Sequence, residues 1–116
     1  MENNFKKLEV WQKSHELTIK IYKITTDFPK EERYRLIDQL CRSASSIPAN
    51  IAEGKGRYHN KEFKQFLYIA RGSLEETKYH LILSNDLGYI NNEKYNELMK
   101  LANVIGKMLN GLIKTL

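Results

Sequence analysis

Residues 43–57, "SASSIPANIAEGKGR", decide the fold because they join a helix-forming pattern to residues that usually interrupt one. Pro48 lies within an apolar series, and Ile51 continues the same face beyond it. A proline inside a helix removes one backbone hydrogen bond, here the bond to the carbonyl of Ala44. We therefore predict that the helix continues through Pro48 with a kink, and that nearby serines and a water satisfy the released carbonyl groups.

The apolar pattern of this stretch extends over most of the chain. Apolar residues recur at steps of three and four, which is the spacing of one buried helix face. No window shows sustained alternation of period two, so no strand is predicted. The pattern predicts four helices, with bounds or caps as follows: about residues 8–27; about residues 31–53; a third beginning at His59 or Asn60 and closed by Gly88; and a fourth capped by Asn91 or Asn92.

Four helices with short connections predict an all-α, up-down-up-down bundle with left-handed packing, formed by residues 1–116 as a single domain. The third and fourth helices carry more apolar residues than one buried face requires. The surplus predicts a second buried face and therefore self-association. We assign this oligomer interface to Phe66, Ile69, Leu101, Val104 and Met108.

A polar stripe begins on the second helix just before this stretch and continues through it; it consists of Arg42, Ser46, Asn50, Glu53 and Arg57. The spacing of Asn50 and Glu53 predicts a polar network where two helices cross. Gly54 and Gly56 are predicted to let the chain turn toward the third helix. An enzyme that uses Asn50, Glu53 and Arg57 is the weakest of the functions this stripe allows.

The charge of the chain is basic, with 19 Lys and Arg against 14 Asp and Glu among 116 residues, a net charge of +5. Such a balance is typical of proteins that bind nucleic acid, and also of helical proteins with a solvated, lysine-rich face. Tyr58 and His59 lie among the cations, where they could stack on bases. The candidate nucleic-acid-binding residues are Arg42, Lys55, Arg57, Lys61, Lys64 and Arg71.

Several other kinds of site do not fit the sequence. "GKGR" (54–57) follows a helix, whereas a phosphate-binding loop lies between a strand and a helix. The chain has no Glu-x-x-His motif, so no metal or other cofactor is predicted, and its one cysteine, Cys41, follows Leu40 in an apolar turn. Together with the absence of a secretory signal or a long apolar window, this predicts a non-catalytic cytoplasmic protein without a membrane role.

Four stretches carry a resemblance to a known family. They are "LEVWQKSHEL" (8–17), "FPKEE" (28–32), "QLCRSASSIPANIAEGKGR" (39–57) and "EFKQFLYIARGSLEE" (62–76). In this order and spacing the chain resembles the bacterial four-helix-bundle proteins encoded in intervening sequences of 23S ribosomal RNA genes. That family is similar to the accessory variability determinant of diversity-generating retroelements.

The resemblance implies a ring-shaped homopentamer. In the retroelement relatives a basic surface of the ring contacts nucleic acid and a reverse transcriptase, so RNA or DNA and such an enzyme are the implied partners. The family's signature residues map onto Pro48, Asn50, Glu53, Gly54 and Arg57, with Arg42 one turn earlier. The resulting hypothesis is a non-catalytic, pentameric nucleic-acid-binding or ribonucleoprotein accessory protein, and the alternative is a protein-interaction scaffold with no direct nucleic-acid role.

Overall fold

The computed structural model describes residues 4–116 as helices and turns, without a strand among them. Residues 1–3, which belong to the predicted domain and to the N-terminal stretch judged not to be a secretory signal, lie outside the described residues. The elements are a 3₁₀ turn at Asn4–Lys7, α1 (Glu9–Thr25), a second 3₁₀ turn at Lys30–Glu32, α2 (Leu36–Lys55), α3 (Asn60–Asp86) and α4 (Asn92–Lys114). The prediction of an all-α chain with four helices is confirmed.

The four helices form an antiparallel bundle. Each of them packs against two neighbours, in the order α1, α2, α3, α4 and back to α1, whereas the Cα atoms of diagonal helices within residues 4–116 stay more than 8 Å apart. Helices α2 and α3 are antiparallel, because Gly54 near the end of α2 lies against Phe66 early in α3, whereas the earlier Ser46 lies against the later Ser73. The α1–α4 side and the α2–α3 side are therefore opposite faces of the bundle.

The core consists of the apolar residues that recur at steps of three and four. Burial of each large aliphatic side chain contributes roughly 1.5–3 kcal/mol, so this series is the main source of stability. No helix within residues 4–116 combines the length and the apolar character needed to span a membrane. The largest fully buried apolar side chains are Leu17, Ile21, Leu40, Ile47, Ile51, Leu67, Leu74, Leu81, Leu98, Ile105 and Leu109.

The start of the second helix was predicted wrongly. The chain makes a 3₁₀ turn at Lys30–Glu32, and α2 begins only at Leu36, since Arg35 has φ −119° and ψ −103°, outside the helical region. The carboxylate of Glu32 lies near the true start, where its Oε1 accepts a hydrogen bond from the backbone nitrogen of Leu36 at 3.4 Å. An acidic residue therefore does serve the positive end of this helix, but from the preceding turn.

Pro48 lies inside α2, as predicted, and is buried. The carbonyl of Ala44, which loses its usual backbone donor, faces a different partner from those predicted. Thr18 on α1 has its hydroxyl 3.1 Å from the Ala44 oxygen and 2.9 Å from the Ser14 oxygen, so its hydrogen serves one of these two buried acceptors. The proline is thus accommodated by a side chain of the neighbouring helix.

This arrangement predicts a conditional effect of Thr18→Val. Loss of the hydroxyl leaves a buried carbonyl without a partner, so the free energy of unfolding should fall by about 1–3 kcal/mol. In a Pro48→Ala background the residue-48 amide can donate to Ala44, and the cost should shrink. Urea unfolding of the unsubstituted protein, the two single variants and the double variant measures the coupling energy between residues 18 and 48. Thr26→Val, at an exposed position, is the control. An equal cost in both backgrounds would contradict the assignment.

The turn between α3 and α4 follows its prediction closely. Gly88 has φ +80°, the only positive φ among residues 4–116. Its nitrogen donates to the Asn85 oxygen, and that of Tyr89 donates to the Ser84 oxygen, which is the Schellman arrangement. The Asn91 side chain then caps α4 by accepting from the Lys94 nitrogen at 2.8 Å. These two caps fix how α4 returns along the bundle.

Candidate functional site

The connection between α2 and α3 brings three of the predicted cations together. Lys55 ends α2, Arg57 lies in the turn, and Lys61 is in the first turn of α3. We call Lys55, Arg57 and Lys61 the basic corner; all three are exposed. Tyr58 and His59 lie between Arg57 and Lys61 in sequence, and their rings pack edge to face with their centres 4.7 Å apart.

Two cations of the basic corner are held over aromatic rings. The Arg57 guanidinium lies 4.8 Å from the centre of the Phe66 ring, and its Nη2 donates to Glu53 Oε2 at 2.9 Å. The ammonium of Lys55 lies 5.7 Å from the centre of the Phe63 ring. Cations placed over a ring face are attracted by its quadrupole, so both side chains are restrained before any ligand arrives.

The other predicted cations lie at increasing distances along α2 and α3. Arg42 is 13 residues before Lys55 on α2, which separates them by about 20 Å along the helix, and its Nε pairs with Asp38 Oδ1 at 3.1 Å. Lys64 lies one turn after Lys61. Arg71 lies two turns further and faces α4, where its Nη1 donates to Asn110 Oδ1 at 3.0 Å. The structure thus groups the basic corner with Lys64 and separates Arg42 from it.

The four residues of the predicted structural motif have separate contacts. Asn50 donates to the Ser46 oxygen at 2.8 Å and to its Oγ at 2.9 Å, and Ser46 Oγ meets Ser73 Oγ of α3 at 2.9 Å. Glu53 instead pairs with Arg57. The predicted polar network therefore exists at the α2–α3 crossing, but it joins Asn50 to serines and not to Glu53.

Gly54 allows the close approach of α2 and α3. It is buried within α2, and a Cβ atom there would lie 2.6 Å from Cβ of Phe66 and 3.0 Å from Cδ1 of Phe63. Gly54 was predicted to form the turn, but the helix passes through it and ends at the Gly56 cap. A buried pair further along, Thr77 Oγ1 donating to Ser43 Oγ at 2.9 Å, continues the same crossing.

The predicted interface residues occupy two opposite faces. Val104 and the half-buried Leu101 line a groove beside α1, with Met108 one turn later. Phe66 packs near Gly54 on the α2–α3 side, and Ile69 follows it. Val104 is 37% exposed and Ile69 is 51% exposed.

Charged side chains border the groove that contains Val104. Lys20 Nζ donates to Glu97 Oε2 at 3.0 Å, and Lys94 Nζ approaches the other carboxylate oxygen at 3.4 Å. The hydrogen bond from Lys20 is the main reason that the pKa of Glu97 is lowered, and the same bond raises the pKa of Lys20. Both groups are therefore charged near neutral pH, and they leave an apolar strip between charged walls.

The remaining reactive groups do not converge. Burial raises the pKa of the Cys41 thiol, whose Sγ lies 3.6 Å from Thr25 Oγ1, so the thiolate is disfavoured. His80 Nε2 lies 3.2 Å from Glu76 Oε2 on the same helix. Within residues 4–116, no three His, Cys, Asp or Glu side chains are placed so that they could hold a metal ion.

A groove between α3 and α4 was not predicted from the sequence. Arg71 and Lys78 line it from α3, and Asn103, Lys107 and Asn110 line it from α4. The signal that could have revealed it is a seven-residue spacing. Arg71 and Lys78 are seven residues apart on α3, as Asn103 and Asn110 are on α4.

Comparison with known proteins agrees with this fold. A family model described as 23S rRNA-intervening sequence protein matches residues 6–111. The chain is also similar to a Bacteroides thetaiotaomicron VPI-5482 protein, described as a protein with unknown function from the S23 ribosomal protein family. The two share 31% identity over 90% of this chain and 95% of that one, with a TM-score of 0.84. No curated protein matches the chain.

Proposed function

Because the chain belongs to the 23S rRNA-intervening sequence protein family, we propose that it is a non-catalytic, homo-oligomeric protein that binds nucleic acid. The single observation that carries the proposal is the basic corner, where Lys55, Arg57 and Lys61 are exposed together at one end of the bundle. Phosphate groups are the partners that such cations bind in nucleic acids, and these contacts supply most of the affinity.

The geometry of the basic corner suits a phosphate backbone. Arg57 is held by both Glu53 and the Phe66 ring, so it loses little conformational freedom when it binds. Lys61 lies in the first turn of α3, where unpaired backbone N–H groups add positive potential. Lys64, one turn later, extends the same surface. These contacts support binding to the sugar-phosphate backbone without sequence preference.

The proposal includes assembly into a closed ring, with five protomers as the expected number. A ring needs a heterologous interface, in which each protomer uses two different surfaces. The apolar strip at Leu101 and Val104 and the patch at Phe66 and Ile69 lie on different sides of the bundle, which supplies two such surfaces. The charged groups that border the first surface add specificity to the contact.

Charge removal tests the role of the basic corner. Substitution of Lys55, Arg57 and Lys61 by Gln lowers the net charge from +5 to +2. Fluorescence anisotropy with a structured RNA should then show weaker binding, and the slope of log K against log salt should become shallower by about 2, since each phosphate contact contributes roughly 0.7–0.9. The control replaces Lys13, Lys23 and Lys30 by Gln, which gives the same net charge of +2 and leaves the basic corner intact.

Two outcomes would contradict the proposal. If the corner variant and the control bind alike, net charge alone explains the affinity. If the unsubstituted protein binds weakly at physiological salt, the alternative of a protein-interaction scaffold is favoured. A reverse-transcriptase partner, which the resemblance implies, stays a prediction that co-purification of the two proteins would test.

A further inference from the structure

A groove of about 360 Å³ lies at the surface between α3 and α4, and no residue of the basic corner lines it. Its walls carry three cations and one carboxylate, Glu75, whose Oε1 lies 3.3 Å from Lys78 Nζ. The groove is thus positively charged, and two asparagine amides supply donors and acceptors between the charges. Its lining includes Arg71, Glu75, Lys78, Asn103, Lys107 and Asn110.

The basic and amide residues recur at a fixed spacing beyond the groove itself. Seven residues make about two helical turns and advance about 10.5 Å, so side chains at this spacing lie on one side of a helix. The surface is therefore a long strip and not an isolated cluster. The rows with this spacing are Lys64, Arg71 and Lys78 on α3, and Asn96, Asn103 and Asn110 with Lys100, Lys107 and Lys114 on α4.

Gly106 lies on the floor of the groove, against the side chains of Leu74 and Lys78. A Cβ atom at this position would lie 3.4 Å from Leu74 Cδ2 and 4.0 Å from Lys78 Nζ. The Lys78 ammonium therefore lies across the glycine, between the two helices, and not out in solvent. Its side chain is only 21% exposed, which places a fixed positive charge in the groove.

Arg71, which lines the groove, also contacts the ring of Tyr68. The guanidinium lies 4.8 Å from the centre of the Tyr68 ring, and Asn110 Oδ1 holds it from the other helix. Tyr68 remains 45% exposed. An exposed aromatic ring beside a fixed guanidinium is an arrangement on which unpaired bases stack.

We propose that the α3–α4 groove binds single-stranded nucleic acid, with a base stacked at Tyr68 and the backbone lying along the lysine rows. The inference rests on the proposed nucleic-acid function and adds a second surface that selects unpaired segments. An acidic peptide would also satisfy the cations. It would leave the exposed Tyr68 ring without a stacking partner, whereas an unpaired base provides one.

Removal of the stacking ring tests this inference separately from charge. Tyr68→Ala should weaken binding of a single-stranded oligothymidylate about fivefold to a hundredfold and leave binding of a DNA duplex nearly unchanged. Tyr22→Ala is the control, because Tyr22 is 51% exposed on α1, away from this groove. Joint substitution of Arg71 and Lys107 by Gln should also weaken single-strand binding and lower its salt dependence.

The outcomes separate the two proposals. If the basic-corner variant loses single-strand binding while the Tyr68 and Arg71/Lys107 variants keep it, the inference about the groove is wrong and the proposed function stands. If polyglutamate displaces the oligothymidylate as well as an equal concentration of unlabelled strand does, the groove is a general anion surface and the inference fails. If the unsubstituted protein binds neither strand nor duplex, both proposals fail. Circular dichroism confirms that each variant is folded.

Discussion

Replacement of Gly54 by alanine is expected to lower the free energy of unfolding by about 1–3 kcal/mol, the usual cost of overpacking a core. The new methyl carbon would lie 2.6 Å from Cβ of Phe66 and 3.3 Å from the carbonyl oxygen of Phe63. Neither atom is the end of a flexible side chain, so α2 and α3 must move apart. That movement would also lengthen the hydrogen bond between Ser46 and Ser73.

Gly72 provides a matched control for this substitution. It also lies within a helix, α3, but a Cβ atom there would meet nothing within 4 Å. Gly72→Ala should therefore leave stability unchanged or raise it by up to about 1 kcal/mol, since alanine is the better helix former. Urea unfolding of both variants measures the difference. Equal stability of Gly54→Ala and the unsubstituted protein would contradict the close approach of α2 and α3.

The second large effect concerns assembly. Val104→Asp and Ile69→Asp should each convert the oligomer into smaller species, because each places a carboxylate within one of the two apolar surfaces proposed for the ring. Val104 is a better test position than Leu101, which packs partly against the core, so that an aspartate there would also destabilise the fold. Light scattering coupled to size exclusion measures the mass of each variant.

Mixing the two variants identifies the type of interface. In a heterologous ring each variant keeps one intact surface, so equal amounts of Val104→Asp and Ile69→Asp should form a dimer that grows no further. An interface in which each surface pairs with its own copy gives no such mixed species. Ile19→Asp, on an exposed part of α1, is the control and should keep the parental mass. Variants that both keep that mass would contradict the assigned surfaces.

The elements that local chemistry determines are the ones that were predicted best from the sequence. Three-four periodicity predicted four helices, and the caps at Gly88 and Asn91 have the predicted geometry, since each depends on residues within one turn. The start of α2 was misplaced, because the helical periodicity reaches back across a 3₁₀ turn whose end is set by the dihedral angles of Arg35.

The features that the sequence analysis missed depend on contacts between helices. The pairing of Thr18 with the Ala44 carbonyl joins residues 26 positions apart, and no local pattern indicates it. Gly54 was predicted to be a turn residue because glycine often ends helices, whereas its role depends on the position of Phe66. For the same reason, the groove beside Arg71 could not be predicted, since its walls come from both α3 and α4.

The central claim is that this protein binds nucleic acid through phosphate contacts, and the salt dependence of binding tests it most directly. The measurement is the affinity of the unsubstituted protein for a single-stranded RNA over a series of salt concentrations. Contacts from the basic corner and Lys64 alone predict that log K falls by at least about 3 for each tenfold increase in salt, at roughly 0.7 for each contact. Affinity that is negligible at physiological salt, or that does not change with salt, would contradict the claim.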